Sequence, residues 1–272
     1  MSLLDSILAF EDGIAGGAFE ALAAADGDSL GIRDYGEGAQ VTLLQAWGAN
    51  NATKCDFSIR SPLLHDNQRG LRFAHMFNPT QSGADGNPNI YLPPDYTQKY
   101  WRTDTLTVEV NGTAADDVAF AQLILYEGAS TPQAQMMTYE QVEALRVNTV
   151  GIRVSPAPPA ATSTYGVAEA INADDDRLKA NKRYALLGLT TDLPFTCLAL
   201  NGPDTANFRI ALPGYRNEEV SAGFLMDLAK RTGKACVPII HSNNRANTFT
   251  RLADVGGGTA PLVCLLFAEL RD

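Results

Sequence analysis

Only three histidines, His65, His75 and His241, are available for metal or acid–base chemistry, and their spacing does not converge. A metal centre needs several His, Cys, Asp or Glu ligands aimed at one point. His65-Asp66 followed by His75 could contribute ligands, but His65 falls in a turn rich in Pro, Asn and Gly, and His75 follows a strand. No H-x-H pair occupies one strand. Asp66 and Asn67 are read as turn builders through side-chain to backbone bonds. No G-x-S-x-G elbow is present to expose a serine nucleophile. Cys236 and His241 lie on one extended segment, about 17 Å apart, too far for a Cys–His pair. Gly256-Gly257-Gly258 is followed by no Gly-Lys-Ser/Thr and opens no helix, so it is not a phosphate loop. Asp116-Asp117 and Asp174-Asp175-Asp176 fall in predicted loops and read as solvated turns, because a calcium loop needs more oxygen ligands at fixed spacing. The expectation is no catalytic residue, no metal and no cofactor: not an enzyme.

The remaining reactive side chains are equally scattered. Cys55, Cys197, Cys236 and Cys264 form no C-x-x-C pair, and each sits in or beside an apolar strand pattern, where a thiol acts as a small hydrophobe. The net charge of −10 argues against nucleic acid as a direct ligand, since phosphate binding needs a Lys/Arg surface. No Lys or Arg precedes Arg33, so the N-terminus lacks the positive region of a secretory signal. No apolar run reaches the roughly 18 residues of a membrane span. The expectation is synthesis and folding in a cytoplasm.

The aromatic residues Tyr91, Tyr96, Tyr100 and Trp101 stand in a long polar stretch rich in Asn, Pro and Gly, between about residues 77 and 104. Rings of this kind suit a protein interface or a sugar-binding surface.

The elements that must carry these residues are mostly strands. An apolar strand at Val41–Trp47 matches Tyr184–Leu189, each holding a Leu-Leu pair. A second strand follows in each half, Cys55–Ile59 and Thr196–Leu200, then a turn with Pro62 or Pro203. A short strand with Arg at its second position comes next, Leu71-Arg72-Phe73 and Phe208-Arg209-Ile210. Each half closes on an apolar strand ending in an acid, Leu123–Glu127 and Leu265–Glu269. The span from the Leu-Leu pair to the closing strand is about 80 residues in both halves, the mark of an internal repeat.

Thr105–Val110 alternates strictly and turns at Asn111-Gly112, within hairpin reach of a strand from Val118 to Tyr126. Residues 2–24 are predicted helical from an apolar stripe that includes Leu4, Leu8 and Phe19, weakened by Gly13, Gly16 and Gly17. Thr138 with Gln141 makes a capping box for a helix to about Val147. A further helix is predicted from about Glu218 to Arg231, stopped by Gly233. The run Ser155–Thr164 breaks all periodicity and is read as a linker. The predicted organisation is a helical arm over 1–34, a first β-sandwich over 35–154, a linker over 155–165 and a second β-sandwich over 166–272. The fold class is mainly β: two tandem jelly-roll sandwiches with an N-terminal helix and a few short inserted helices.

On the paired Leu-Leu strands, the paired Pro-turn-Arg strands ending at Arg72 and Arg209, and the two closing strands, the chain resembles the double jelly-roll major capsid proteins of tailless icosahedral viruses and phages. The resemblance covers roughly residues 35–270. It implies two eight-stranded jelly rolls side by side, a homotrimer of pseudo-sixfold outline, and trimers tiling a capsid lattice in the virion. Other virion proteins are further candidate partners. It implies Tyr91, Tyr96, Tyr100 and Trp101 as residues of a subunit contact or outer tower. It implies the N-terminal helix, with Leu4, Leu8 and Phe19, at the shell's base. Lipid contact through that helix is disfavoured by Asp5, Glu11, Asp12 and Glu20, because interfacial helices usually carry Lys and Arg. The alternative is a carbohydrate-binding β-sandwich, lectin-like or receptor-binding, with the same aromatics as an exposed platform. An enzyme on this scaffold would need a pocket joining one of the histidines to acids and a basic residue.

Overall fold

The structure is a computed structural model. It describes residues 3–14, 18–24, 30–31, 40–50, 55–63, 70–75, 90–91, 99–101, 104–112, 117–127, 135–161, 164–171, 177–192, 197–205, 208–211, 222–253 and 258–271. Up to Glu127 the described elements are β1 (Leu3–Ile14), β2 (Glu20–Ala21), β3 (Ala23–Ala24), β4 (Gln40–Asn50), β5 (Cys55–Arg60), β6 (Leu71–His75), β7 (Ile90–Tyr91), β8 (Lys99–Trp101), β9 (Thr107–Gly112) and β10 (Asp117–Glu127). From Gln135 onward come β11 (Gln135–Met137), α1 (Tyr139–Leu145), β12 (Arg146–Val154), β13 (Glu169–Ala170), β14 (Arg183–Thr191), β15 (Cys197–Asn201), β16 (Phe208–Ala211), α2 (Phe224–Thr232), β17 (Val237–His241), a 3-10 helix (Ser242–Asn247), β18 (Phe249–Ala253) and β19 (Val263–Leu270).

The protein is mainly β, with antiparallel sheets throughout. One sheet runs β3-β1-β10-β4-β7, with β8 also on β4, and a second runs β2-β9-β5-β6. A third runs β11-β17-β14-β19-β12 and a fourth β13-β18-β15-β16. A common order underlies both pairs. If β1 and β12 are each taken as first strand, one sheet of each half reads first, eighth, third, sixth. The other reads second, seventh, fourth, fifth. This count leaves out the short strands β3 and β11, at sheet edges, and takes β7 and β8, which both pair with β4, as one interrupted strand.

The strands that repeat in sequence are the ones that correspond in this order: β4 with β14, β5 with β15, β6 with β16, and β10 with β19. The match extends to a local irregularity. In the β4–β10 ladder Gln45 faces Ile124 and Leu43 faces Leu125, leaving Leu44 without an opposite residue. In the β14–β19 ladder Gly188 faces Leu266 and Leu186 faces Phe267, leaving Leu187 unpaired. Both extra residues are the second Leu of the Leu-Leu pair. A bulge of this kind bends a strand and increases its twist, so both central ladders are shaped at the same point.

The second pair of sheets shares one core. Tyr184, Leu186 and Leu189 of β14, Leu265 and Phe267 of β19, Leu198 and Leu200 of β15, Phe208 of β16 and Leu252 of β18 are all buried in one cluster. Tyr184 and Phe267 meet edge to face with centroids 6.5 Å apart. α2 packs on β14 and β17, and α1 on β19 and α2. β14 is therefore covered on both faces, and Tyr184 to Leu189 are buried without alternation. α1 starts at the expected capping box, with reciprocal bonds between Thr138 and Gln141. α2 has Gly223 as its N-cap, and Gly233 ends it at φ 64°; residues 218–221 of the predicted helix lie outside the described residues. The predicted cap, Asn217, lies outside the described residues. In the first half, Leu22, Ile59, Leu106 and Val108 are buried, Arg60 pairs with Glu109, and Ser61 bonds Asp104.

Three expectations are corrected. The predicted N-terminal helix is strand β1, paired with β10 from Leu3 opposite Glu127 to Ile14 opposite Asp117. Its run of Leu, Ile, Ala and Phe fits either periodicity, and the ladder offered by β10 settles the conformation. The arm over 1–34 is thus part of the first two sheets, through β1, β2 and β3. β12, expected to end the first unit, pairs along its length with β19. The Pro-rich run is packed rather than a linker: Pro156 and Pro159 are buried, and Ser155 Oγ donates to the Pro261 carbonyl. Finally, β9 and β10 are no hairpin. β9 lies between β2 and β5, and β10 between β1 and β4, in different sheets.

The bulge gives a direct test. Deleting Leu187 removes the unpaired residue, so Leu186 and Gly188 keep Phe267 and Leu266 as partners and β14 loses its bend rather than its register. The deletion is expected to lower the urea midpoint followed by near-UV circular dichroism by more than Leu187→Ala, which shortens the side chain but keeps the bulge.

Candidate functional site

The residues weighed for chemistry are dispersed by the fold. His241 ends β17; its Nδ1 accepts from the Asn243 backbone N–H at 3.2 Å, capping the 3-10 helix. Cys236 is buried with Sγ 3.8 Å from Thr232 Oγ1. Burial pushes its thiol up to about 12, so it carries no thiolate at neutral pH. His75 is on β6 opposite Cys55; His65 lies outside the described residues. Among the described residues no three His, Cys, Asp or Glu side chains cluster as a metal site. Also among these residues, no helix is long and apolar enough to cross a membrane.

A polar constellation joins three connections of the second half. Asp204 Oδ2, in the turn after β15, accepts from the His241 backbone N–H at 2.9 Å and from Asn244 Nδ2 at 2.8 Å. Asn243 Nδ2 donates to Asn181 Oδ1 at 2.8 Å, and the Asn181 N–H donates to Asn243 Oδ1 at 3.2 Å. Asn181 is left-handed at φ 59°, a conformation Asn tolerates. Ser242 Oγ accepts from the Lys182 N–H. Gly202 is required here, because a Cβ would stand 2.6 Å from Thr248 Oγ1. These bonds fix loop shape. They leave Asn181, Pro203, Asn243 and Asn247 exposed on a rigid polar end of the sheets. Sequence reasoning missed Asp204; the turn signal Gly202-Pro203 was visible, but its partners lie 37 and 40 residues away.

Beside this network Lys179 Nζ bonds both oxygens of Glu269 at 3.0 and 2.9 Å. Its own backbone N–H donates to the hydroxyl of buried Tyr184 at 2.8 Å. The side-chain bond to Glu269, and then the carboxylate's charge, raise the Lys179 ammonium above its usual 10.5. Glu269 is the acid that closes the second repeat.

The predicted interface residues fall in two places. Tyr91 on β7 is opposite Gln45, and Tyr100 and Trp101 on β8 are opposite Val41 and Gln40. Three of the four aromatics thus share the β4 side of one sheet; Tyr96 lies outside the described residues. Leu4 and Leu8 are on β1, opposite Tyr126 and Gln122. Phe19 is half-buried, with the Arg72 guanidinium 4.4 Å above its ring. Arg251 lies 5.3 Å over Tyr165. In each half, then, an aromatic preceding the short second strand is held by an arginine of the four-stranded sheet.

Against this geometry, no family model matches the chain, and no curated protein does. Among solved structures it is similar to the major capsid protein P2 of bacteriophage PM2, at 7% identity and a TM-score of 0.26 over 99% of this chain and 98% of that one. It is also similar to the Cry4Aa toxin of Bacillus thuringiensis, at 8% identity and a TM-score of 0.20, spanning 53% of that chain.

Two measurements test the constellation. Asp204→Ala removes an acceptor of two bonds and is expected to lower stability by about 1–3 kcal/mol in urea titrations. Because the Lys179 pKa is raised on folding, its contribution is complete below 10.5 and lost as pH climbs through the higher folded value. The Tm difference between wild type and Lys179→Met should therefore hold through neutral pH and shrink in the alkaline range.

Proposed function

We propose that the chain is a structural virion protein, built as two tandem jelly rolls, that trimerises and tiles an icosahedral capsid shell. The carrying observation is the strand order first-eighth-third-sixth against second-seventh-fourth-fifth, present twice with its bulge in the same place. Eight antiparallel strands in two sheets form the jelly-roll plan used by viral shells and by lectins. What favours the shell is the doubling: a tandem pair offers two equivalent sets of edges, which suits a ring built from head-to-tail contacts. On this reading the residues of consequence are edges and loops, and the protein resides in the virion.

Light scattering behind a sizing column, followed by electron microscopy of the peak, is the test. The expected result is a particle of three 29.2 kDa chains, or larger shells. A monomer at every concentration and ionic strength, with millimolar sugar affinity, would instead favour the lectin-like alternative.

A further inference from the structure

The chain contains one neighbour relation between its halves that has a vacant counterpart. β1, the first strand of the first half, lies alongside β16, the fifth strand of the second. Among the described residues β3 pairs with β1 at Ala9 and Phe10, and β11 also lies against β1. The internal repeat makes β12 the counterpart of β1 and β6 the counterpart of β16. Among the described residues β12 pairs only with β19, and β6 only with β5. Both lie at the edges of the described sheets.

We infer that β12 of one copy seats beside β6 of another, repeating between chains the β1–β16 relation found within one. This rests on the shell-protein reading above and names its contact. β12 has the exposure such a contact requires: Arg146, Val147, Asn148 and Thr149 are all exposed, Val147 at 58%. A nine-residue edge with an exposed Val is long for a strand left uncovered. Arg72 of β6 is also exposed.

The chemistry of the edge points to packing rather than sheet extension. The β12 register shifts between Arg146 and Asn148, and Asn148 Oδ1 accepts from the Thr149 N–H at 2.9 Å. Both features frustrate a continuous new ladder at that end. β1 and β16 likewise lie side by side without ladder pairing. A contact between unlike edges is heterologous, so copies related by it either close into a ring or run on as a filament.

Val147→Cys and Arg72→Cys alter exposed side chains; Arg72→Cys also gives up the contact over Phe19, so each variant is first matched to wild type by circular dichroism and Tm. With a short bis-maleimide, an equal mixture of the two single variants is expected to give a cross-linked dimer that neither gives alone. The double variant should give a ladder ending at the copy number found by light scattering. Cross-linking of Val147→Cys by itself would mean that β12 meets β12, and would overturn the inference. An oligomer of the expected mass without the mixed cross-link would also overturn it, leaving the shell-protein reading intact. A monomer under all conditions would remove both.

Discussion

Each half depends on one insertion: its last strand must fit between its first and its third. β10 lies between β1 and β4, and β19 between β12 and β14. The central ladder hydrogen bonds therefore join residues 69 to 124 positions apart, and no local segment completes a sheet alone. Loop closure makes such pairings entropically costly before they are stabilising. In the second half the compensation is apolar: Phe267 and Leu265 are fully buried, and Tyr184 meets Phe267 across the ladder. The ion pair of Glu269 with Lys179 then pins the end of the same strand.

The bulges give this insertion its shape. Two hydrophobic ladders with an extra leucine at one shared position twist together rather than as flat sheets. The polar connections need not organise the core. They lock the turn after β15 to the 3-10 helix through Asp204, and that helix to the turn before β14 through Asn181 and Asn243. The candidate site is accordingly a set of edges and ends, with the reactive side chains spent on structure: His241 caps, and Cys236 fills space.

What could be read beforehand follows a physical divide. Local chemistry was legible: the Thr138–Gln141 box, the Gly233 stop, and the strands holding Leu43-Leu44 and Leu186-Leu187. The repeat was legible because burial demands the same apolar pattern at corresponding strands. Partner choice was not. Nothing local in Leu3–Phe10 says that β10 will supply its ladder, so an apolar run fitting both periods was assigned to a helix. Nothing in Ser155–Thr164 shows that its prolines pack, because Pro-rich composition is the same in a linker and in a buried loop. Asp204 and Lys179 escaped for a related reason, since their partners are brought near only by the finished topology.

The position of β12 has a consequence for how the chain is made. Its described ladder partner, β19, is synthesised more than a hundred residues later, an interval of roughly 5 to 20 seconds at ordinary translation rates. Throughout that interval Val150, Ile152 and Val154 have no strand beside them, while β14 and β17 can already pair. The nascent chain is thus exposed to wrong partners along a strand that, when folded, still leaves Arg146 to Thr149 open to solvent. Crowding of many ribosomes on one message would bring such strands from neighbouring chains together before either is complete.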